Sequence, residues 1–342
     1  MSLNEERFTL AEMAAKSTSV EVQIEGRTLK LSNLDKILYP EVGFAKAQVV
    51  DYYTRIAPLL LPHLKNRPLT LKRYPNGVTE EFFYEKNCPK HRPDWVHTAS
   101  IWSGGNARYM DYCTVDDLPS LVWVANLATL ELHTSLSLGD DIERPRHLVF
   151  DLDPGPPATI VDCARVGLWV KEIFDSFGME SFAKTSGSKG LQLYVPLNGE
   201  TNYEETKTVS YAIATTLAEQ HPEHVVSLMR KDLRTNKVFI DWSQNDASKT
   251  TINVYSLRAR ENPSVSTPLT WDEVSDLLES GDPARSVFQA PELLARVEKL
   301  GDLFSPLLTL QQRLPDALVG AEGPTRRSAQ ARARSGLRRA QP

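Results

Sequence analysis

His147-Leu148-Val149-Phe150-Asp151-Leu152-Asp153-Pro154-Gly155 is the stretch on which the reading of this chain turns. Side chains alternate across a β-strand, so Asp151 and Asp153 share one face while Phe150 and Leu152 take the other. Two residues of strand separate the aspartate Cα atoms by about 6–7 Å. Carboxylates so placed can converge on one divalent ion or bridge two. Pro154-Gly155 ends the strand and leaves the pair at an open rim. A solvated acidic strand end would carry the same letters, so this stretch alone leaves both readings open.

A third carboxylate bears on the choice. In Lys237-Val238-Phe239-Ile240-Asp241-Trp242, Asp241 interrupts an apolar strand. An aspartate there is costly unless it is hydrogen-bonded or bound to a metal. If this strand lies beside the first, three hard oxygen ligands meet with no His/Cys cluster. That donor set suits Mg²⁺ or Mn²⁺ better than zinc. Between the two strands stands Thr185-Ser186-Gly187-Ser188-Lys189-Gly190. It is either a plain glycine turn or a cradle in which backbone N–H groups and Lys189 meet an anion. The spacing is not that of a P-loop.

Outward from this centre the pattern alternates strands and helices. Val22, Ile24, Leu29 and Leu31 around Glu25-Gly26 predict a hairpin, and Ser32 to Lys36 a short serine-capped helix. A helix is expected from Ala45 to Leu61, stopped by Pro62, then a strand at Pro68–Tyr74 and another at Tyr109–Cys113. Leu118 to about Leu132 reads as one long apolar helix. Further helices are expected at Ile160–Phe177, Tyr203–Gln220 and after Pro268, with strands at His147–Leu152, Gly190–Leu197 and Lys237–Trp242. No repeat or long linker divides residues 20–315, which read as one large α/β domain. Residues 1–19 form a polar leader and 316–342 a basic, disordered tail.

Composition narrows the function. With 41% hydrophobic and 24% charged residues the chain has the balance of a globular protein. Three cysteines without a CxxC pair argue against a disulfide scaffold or a cysteine-built zinc site and fit a reducing cytoplasm. No signal peptide or membrane span is expected. The formal charge is −5, but the six arginines after residue 322 carry +6 and leave −11 on the rest. Net charge governs long-range steering and does not exclude a local nucleic-acid groove.

The Asp-x-Asp strand, the SGSKG turn and the FIDW aspartate occur in the order of the catalytic core of archaeo-eukaryotic primase-like polymerases. The chain resembles most closely the polymerase domain of bacterial ligase D. Other strings share the likeness: Leu31–Lys36 with Tyr39-Pro40, Arg67-Pro68 through Lys72–Gly77, Phe82–Lys86, Glu131-Leu132-His133, Tyr255–Arg260 and Ser266–Val274. It covers about residues 20–305. It implies an α/β (α+β) fold, a primase-polymerase core of mainly antiparallel or mixed sheets flanked by helices. No ligase or nuclease module is seen, so a stand-alone form is expected.

By that resemblance Asp151, Asp153 and Asp241 bind two divalent ions, Mn²⁺ or Mg²⁺. Ser186 and Lys189 hold the incoming nucleoside triphosphate, with Arg258 and His133 nearby, Lys72 assisting, and Gln244 just past the third aspartate. Phe82 and Phe83 stack on a template base, and Asn33, Lys36 and Lys46 form a pocket for a 5′-phosphate across a gap. Core packing for the phenylalanines, a solvated helix face for the lysines and a satisfied core histidine for His133 are the plainer alternatives. The family commonly has histidine where this chain has Gln192, which donates a hydrogen bond but carries no charge. Triphosphate binding would then lean on Lys189 and Arg258. The implied activity is template-directed nucleotidyl transfer at DNA gaps or ends, with a liking for ribonucleotides. A monomer is expected, with ligase and end-binding proteins as partners. The rivals are a non-catalytic DNA-end binding module and a two-metal phosphoesterase.

Overall fold

The computed structural model describes residues 19–321 and 323. Most of the expected leader and all arginines of the expected tail lie outside the described residues. Two parts of those segments do not. Ser19 opens the first strand, and Asp316–Val319 forms a helical turn where a disordered tail was expected. The chain divides into two compact units. The first holds residues up to 134 with 252–266 and 288–302; the second holds 135–251, 267–287 and the residues from 303 onward. No helix among the described residues is long and apolar enough to cross a membrane.

The first unit opens with the expected hairpin, β1 (Ser19–Ile24) and β2 (Arg27–Ser32), paired antiparallel around Glu25-Gly26. The short helix expected after it does not form. Asn33 adopts a left-handed conformation (φ 52°), Lys36 N–H donates to Asn33 O, and the chain enters β3 (Ile37–Tyr39) and β4 (Phe44–Ala45). Helix α1 (Lys46–Leu64) then buries Val49, Val50, Tyr52, Tyr53, Ile56 and Leu60. Pro62 does not stop it; the amide it lacks would have bonded to Pro58 O, so only one bond is lost and the helix runs two residues further.

Strands β5 (Leu69–Arg73), β6 (Phe83–Glu85), β7 (Thr98–Ser103) and β8 (Arg108–Cys113) follow. The long apolar helix expected over Leu118–Leu132 is two elements, α2 (Leu118–Asn126) and β9 (Thr129–Thr134). Ala128 at φ 57° breaks the helix, and β9 is a buried strand in which Leu130 and Leu132 alternate with the polar Thr129, Glu131 and His133. β5 lies between β9 and β8, and also pairs with β6. Cys88 and Cys113 form a disulfide, contrary to the reading from cysteine number. Spacing in sequence could not show that the segment after β6 returns to β8, where Cys88 N–H donates to Asp111 O.

The second unit contains a small hairpin, β10 (Ser137–Leu138) and β11 (Asp141–Pro145), and then β12 (His147–Pro154), the strand of the opening motif. Helix α3 (Ile160–Ser176) is capped by Thr159 and Asp162; β13 (Phe182–Thr185) and β14 (Leu191–Pro196) flank the SGSKG turn. Helix α4 (Tyr203–Gln220) is capped by Asn202 and Glu205 and leads to β15 (Val225–Val226) and β16 (Val238–Asp241). β17 (Thr251–Ile252) takes the chain back to the first unit's sheet beside β9, and β18 (Pro268–Leu269) completes the second sheet. That sheet runs β15-β16-β12-β14-β13-β18, antiparallel except for β15 with β16. Helix α5 (Trp271–Ser280) packs on α3, and α6 (Ala290–Leu300) packs on α1 in the first unit. The fold is the mixed α/β arrangement expected, with β12 flanked on both sides.

Candidate active site and phosphate pocket

In the second unit the register places Asp151 directly opposite Asp241, and Asp153 opposite Phe239. Asp151 and Asp153 share the face that alternation assigns them. Asp151 Oδ1 accepts from Gln192 Nε2 at 2.9 Å and Oδ2 from Gln244 Nε2 at 3.3 Å. Asp241 Oδ1 accepts from the Ser243 backbone N–H at 3.1 Å and its hydroxyl at 2.5 Å. Burial raises the Asp151 pKa, and repulsion from Asp241 adds to the rise. The Gln192 hydrogen bond, the Lys184 charge and Gln244 oppose it.

Two carboxylates that repel each other fit a hard divalent cation, as does Gln244 Oε1 beside them, buried without a hydrogen-bond partner. Among the described residues no three His, Cys, Asp or Glu side chains form a ready ligand cluster. The paired carboxylates are therefore Asp151 and Asp241, with the exposed Asp153 two residues along the same face.

The SGSKG turn closes on itself. Ser186 Oγ accepts from the Gly190 and Ser188 backbone N–H groups at 3.1 and 3.3 Å, and Ser186 N–H donates to Gly190 O. A Cβ at Gly190 would lie 2.4 Å from Leu152 O and 3.7 Å from Asp153 Oδ1. Only glycine lets the turn approach β12 this closely. Lys189 is exposed. Gln192, expected to face the triphosphate, is 3% exposed and has both ends of its amide engaged, by Lys184 and by Asp151.

A second cluster is built in the first unit around Glu131, which sequence reasoning quoted in a motif but gave no role. Register places Tyr84, Lys72 and Glu131 in a row across β6, β5 and β9. Glu131 Oε2 lies 2.8 Å from His133 Nε2 and 3.6 Å from Lys72 Nζ, and Oε1 lies 3.4 Å from Arg258 Nε. The Ala259 N–H also donates to Oε1. Burial alone would raise the Glu131 pKa, yet the His133 hydrogen bond and the charges of Arg258, His133 and Lys72 hold it at about 2. Burial lowers the pKa of Lys72 and of His133.

Tyr39 OH donates to Arg258 O and fixes the segment that carries this arginine. Lys72 Nζ stands 4.3 Å from the Phe82 ring centroid. Phe82 and Phe83 are 49% and 43% exposed, which removes core packing as their explanation. His133 stands on strand β9, not on a helix end.

The first unit also holds a cavity of about 520 Å³ lined by Asn33, Lys36, Lys46, Arg73, His91 and Asn126 among others. Asn33 and Lys36 reach it from a turn rather than from the expected helical face. Lys46 N–H donates to Lys36 O, which draws the two lysines together, and Lys46 Nζ donates to Ser32 O at 2.6 Å. Burial, with Arg73 and Lys36 nearby, lowers the Lys46 pKa to about 8. Arg73 is partly neutralised by Glu85 at 2.5 Å, whereas Lys36 pairs with the uncharged Asn76. The cavity wall is thus cationic.

The structure brings Lys72, His133, Arg258, Phe82 and Phe83 together in the first unit, near the element that carries Arg73. In the second it brings Gln192 and Gln244 to Asp151 and sets Gly190 of the SGSKG turn close to Asp153. Lys184, Glu131 and Arg73 are the participants that the sequence did not single out. A charged residue beside apolar neighbours was the available signal: Lys184 follows Phe182 and Ala183, and Glu131 stands between Leu130 and Leu132.

Residues 45–304 match the family model of the LigD primase-polymerase domain. The chain is 40% identical over 281 residues to the multifunctional non-homologous end joining protein LigD of Mycolicibacterium smegmatis, covering 82% of this chain and 36% of that protein. It is 34% identical over 274 residues to the bifunctional non-homologous end joining protein LigD of Bacillus subtilis, covering 80% and 43%. The chain thus spans well under half the length of these relatives. The polymerase domain of Mycobacterium tuberculosis ligase D in complex with DNA is similar in structure, with a TM-score of 0.75 at 36% identity. The match covers 83% of this chain and 99% of that one. On sequence and fold together, the chain belongs to the LigD primase-polymerase domain family.

Proposed function

We propose that this chain is a template-directed nucleotidyltransferase that extends a primer 3′-hydroxyl at DNA gaps and broken ends, as in non-homologous end joining. The observation that carries the reading is the pairing of Asp151 with Asp241 on the sheet face that also bears Asp153. These three residues would hold Mn²⁺ or Mg²⁺, two ions in all. When bound, the ions supply charge neutralisation at the triphosphate and a lower pKa at the attacking hydroxyl.

The rest falls to the chain itself. Lys72 and Arg258, held by Glu131 with His133 beside them, offer fixed positive charge to the triphosphate, as do the SGSKG turn and Lys189. Phe82 and Phe83 present exposed ring faces on which bases can stack without regard to sequence. Asn33, Lys36 and Lys46 take the terminal 5′-phosphate on the far side of a gap, and ribonucleotides are the favoured substrates. The protein works as a monomer in the cytoplasm, where the DNA is, alongside a ligase and end-binding proteins.

Primer extension on a gapped duplex tests this, with and without the 5′-phosphate and with ribo- or deoxyribonucleotides. Template-dependent extension supports the reading. Binding without extension indicates an end-binding module, and DNA cleavage without nucleotides a phosphoesterase.

A further inference from the structure

Lys184, Gln192, Asp151 and Asp241 stand in one row across β13, β14, β12 and β16, each directly opposite the next. Residues opposite one another in antiparallel strands project from the same face. Lys184 Nζ donates to Gln192 Oε1 at 2.6 Å, and Gln192 Nε2 donates to Asp151 Oδ1 at 2.9 Å. Lys184 has no exposed surface.

A carboxamide has two ends of nearly equal size, one accepting and one donating. Without charged partners it can turn either end inward. An ammonium group only donates and therefore selects the amide oxygen; an ionised carboxylate only accepts and selects the NH₂. With Lys184 on one side, the amide has a single favourable orientation. A buried amine on a strand is costly to keep, and here it is spent on a contact that ends at Asp151.

We propose that Lys184 is a positioning residue for Asp151, acting through Gln192, which it locks with its NH₂ toward the carboxylate. The inference rests on the reading of Asp151 as a divalent-ion ligand. Gln192 then belongs to the carboxylate side of the site and does not contact the triphosphate. The row also explains how an uncharged residue serves at this position: the charge stands one strand further out.

The test is Mn²⁺ binding to the protein alone, by isothermal titration calorimetry, with circular dichroism to monitor folding. Lys184→Met keeps the buried volume and removes the donor; its Mn²⁺ dissociation constant should rise about tenfold, the effect of losing one charge-assisted hydrogen bond. Lys184→Gln restores a donor without the charge and should stay within about threefold of wild type. Unchanged affinity in a folded Lys184→Met protein overturns the proposal. So does equal loss in both variants, which would mean that bare charge, not amide orientation, matters.

Should Lys184→Met fail to fold, wild type itself decides by NMR with glutamine-selective labelling. The Gln192 amide protons should exchange slowly with water, and rapid exchange overturns the lock. Wild-type protein that binds no Mn²⁺ refutes instead the metal reading beneath it.

Discussion

Raising the pH from 7 to 9 should weaken recognition of a 5′-phosphate about tenfold while leaving recognition of the rest of the DNA unchanged. The reason is Lys46, whose pKa is lowered to about 8 by burial and by Arg73 and Lys36. At pH 7 about nine-tenths of the Lys46 side chains are protonated, and at pH 9 about one-tenth. A terminal phosphate, with a second pKa near 6, is a dianion at both values. Its binding needs the ammonium form, so affinity follows the protonated fraction. The sign for stability is opposite. A lysine whose folded pKa lies below its unfolded value costs stability while it is charged, and that cost fades as pH rises through about 8. The DNA-free protein should therefore gain stability over the same range in which it loses the phosphate. The assay is fluorescence anisotropy with gapped duplexes that differ only in a 5′-phosphate or 5′-hydroxyl. Their affinity ratio removes any general effect of pH on DNA binding. Lys46→Arg stays charged throughout and should flatten the profile. A ratio that is constant in wild type between pH 7 and 9 would refute the assignment of Lys46 to the phosphate.

Other expectations follow from the same geometry. Asp151→Ala should abolish primer extension and spare DNA binding, because Asp151 belongs to the proposed ion site and not to the exposed aromatic surface; near-normal extension would sink that role. Glu131→Gln removes the anchor of Lys72, His133 and Arg258 and should raise the nucleotide KM by about tenfold or more, the scale of a broken buried charge network. Steady-state kinetics with unchanged KM would count against the cluster. Gly190→Ala sets a Cβ 2.4 Å from Leu152 O and should cost about 2 kcal/mol or more, read as a lower urea midpoint. The double change Lys36→Glu with Lys46→Glu should erase the advantage of a 5′-phosphorylated gap and leave extension on a recessed template intact. Equal loss on both substrates would mean general DNA binding or misfolding.

Parts of this architecture announce themselves in the sequence and parts do not. The alternation around Asp151 marks β12 because one of its faces is polar, and the Asn202 and Glu205 pair marks the start of α4. Apolar run length alone misleads between Leu118 and Leu132. The apolar letters of α2 run on into Leu130 and Leu132 of β9, and the division falls at Ala128, whose left-handed backbone no letter advertises. The turn at Asn33 is similar, since serine followed by polar residues suits a helix cap and a tight turn equally. In the candidate site, Asp151, Asp153 and Asp241 are legible as interruptions of apolar strands. What they touch is not. Lys184 meets Asp151 only through the registers of two strand pairs, and Glu131 meets Arg258 from far along the chain.

That distance has a consequence for how the protein is made. The chain passes between its two units at residues 134, 251, 266, 287 and 302, so no uninterrupted stretch of it is either unit. On a ribosome adding about 5–20 residues per second, Arg258 emerges roughly 6–25 seconds after Glu131. During that interval the buried carboxylate has Lys72 and His133 but lacks its arginine and the Ala259 amide. The first unit can close only after most of the second has been synthesised. Release of a nascent chain before residue 302 leaves both units unfinished, and a chaperone that shields β9 in the meantime would be guarding the unfinished charge cluster around Glu131.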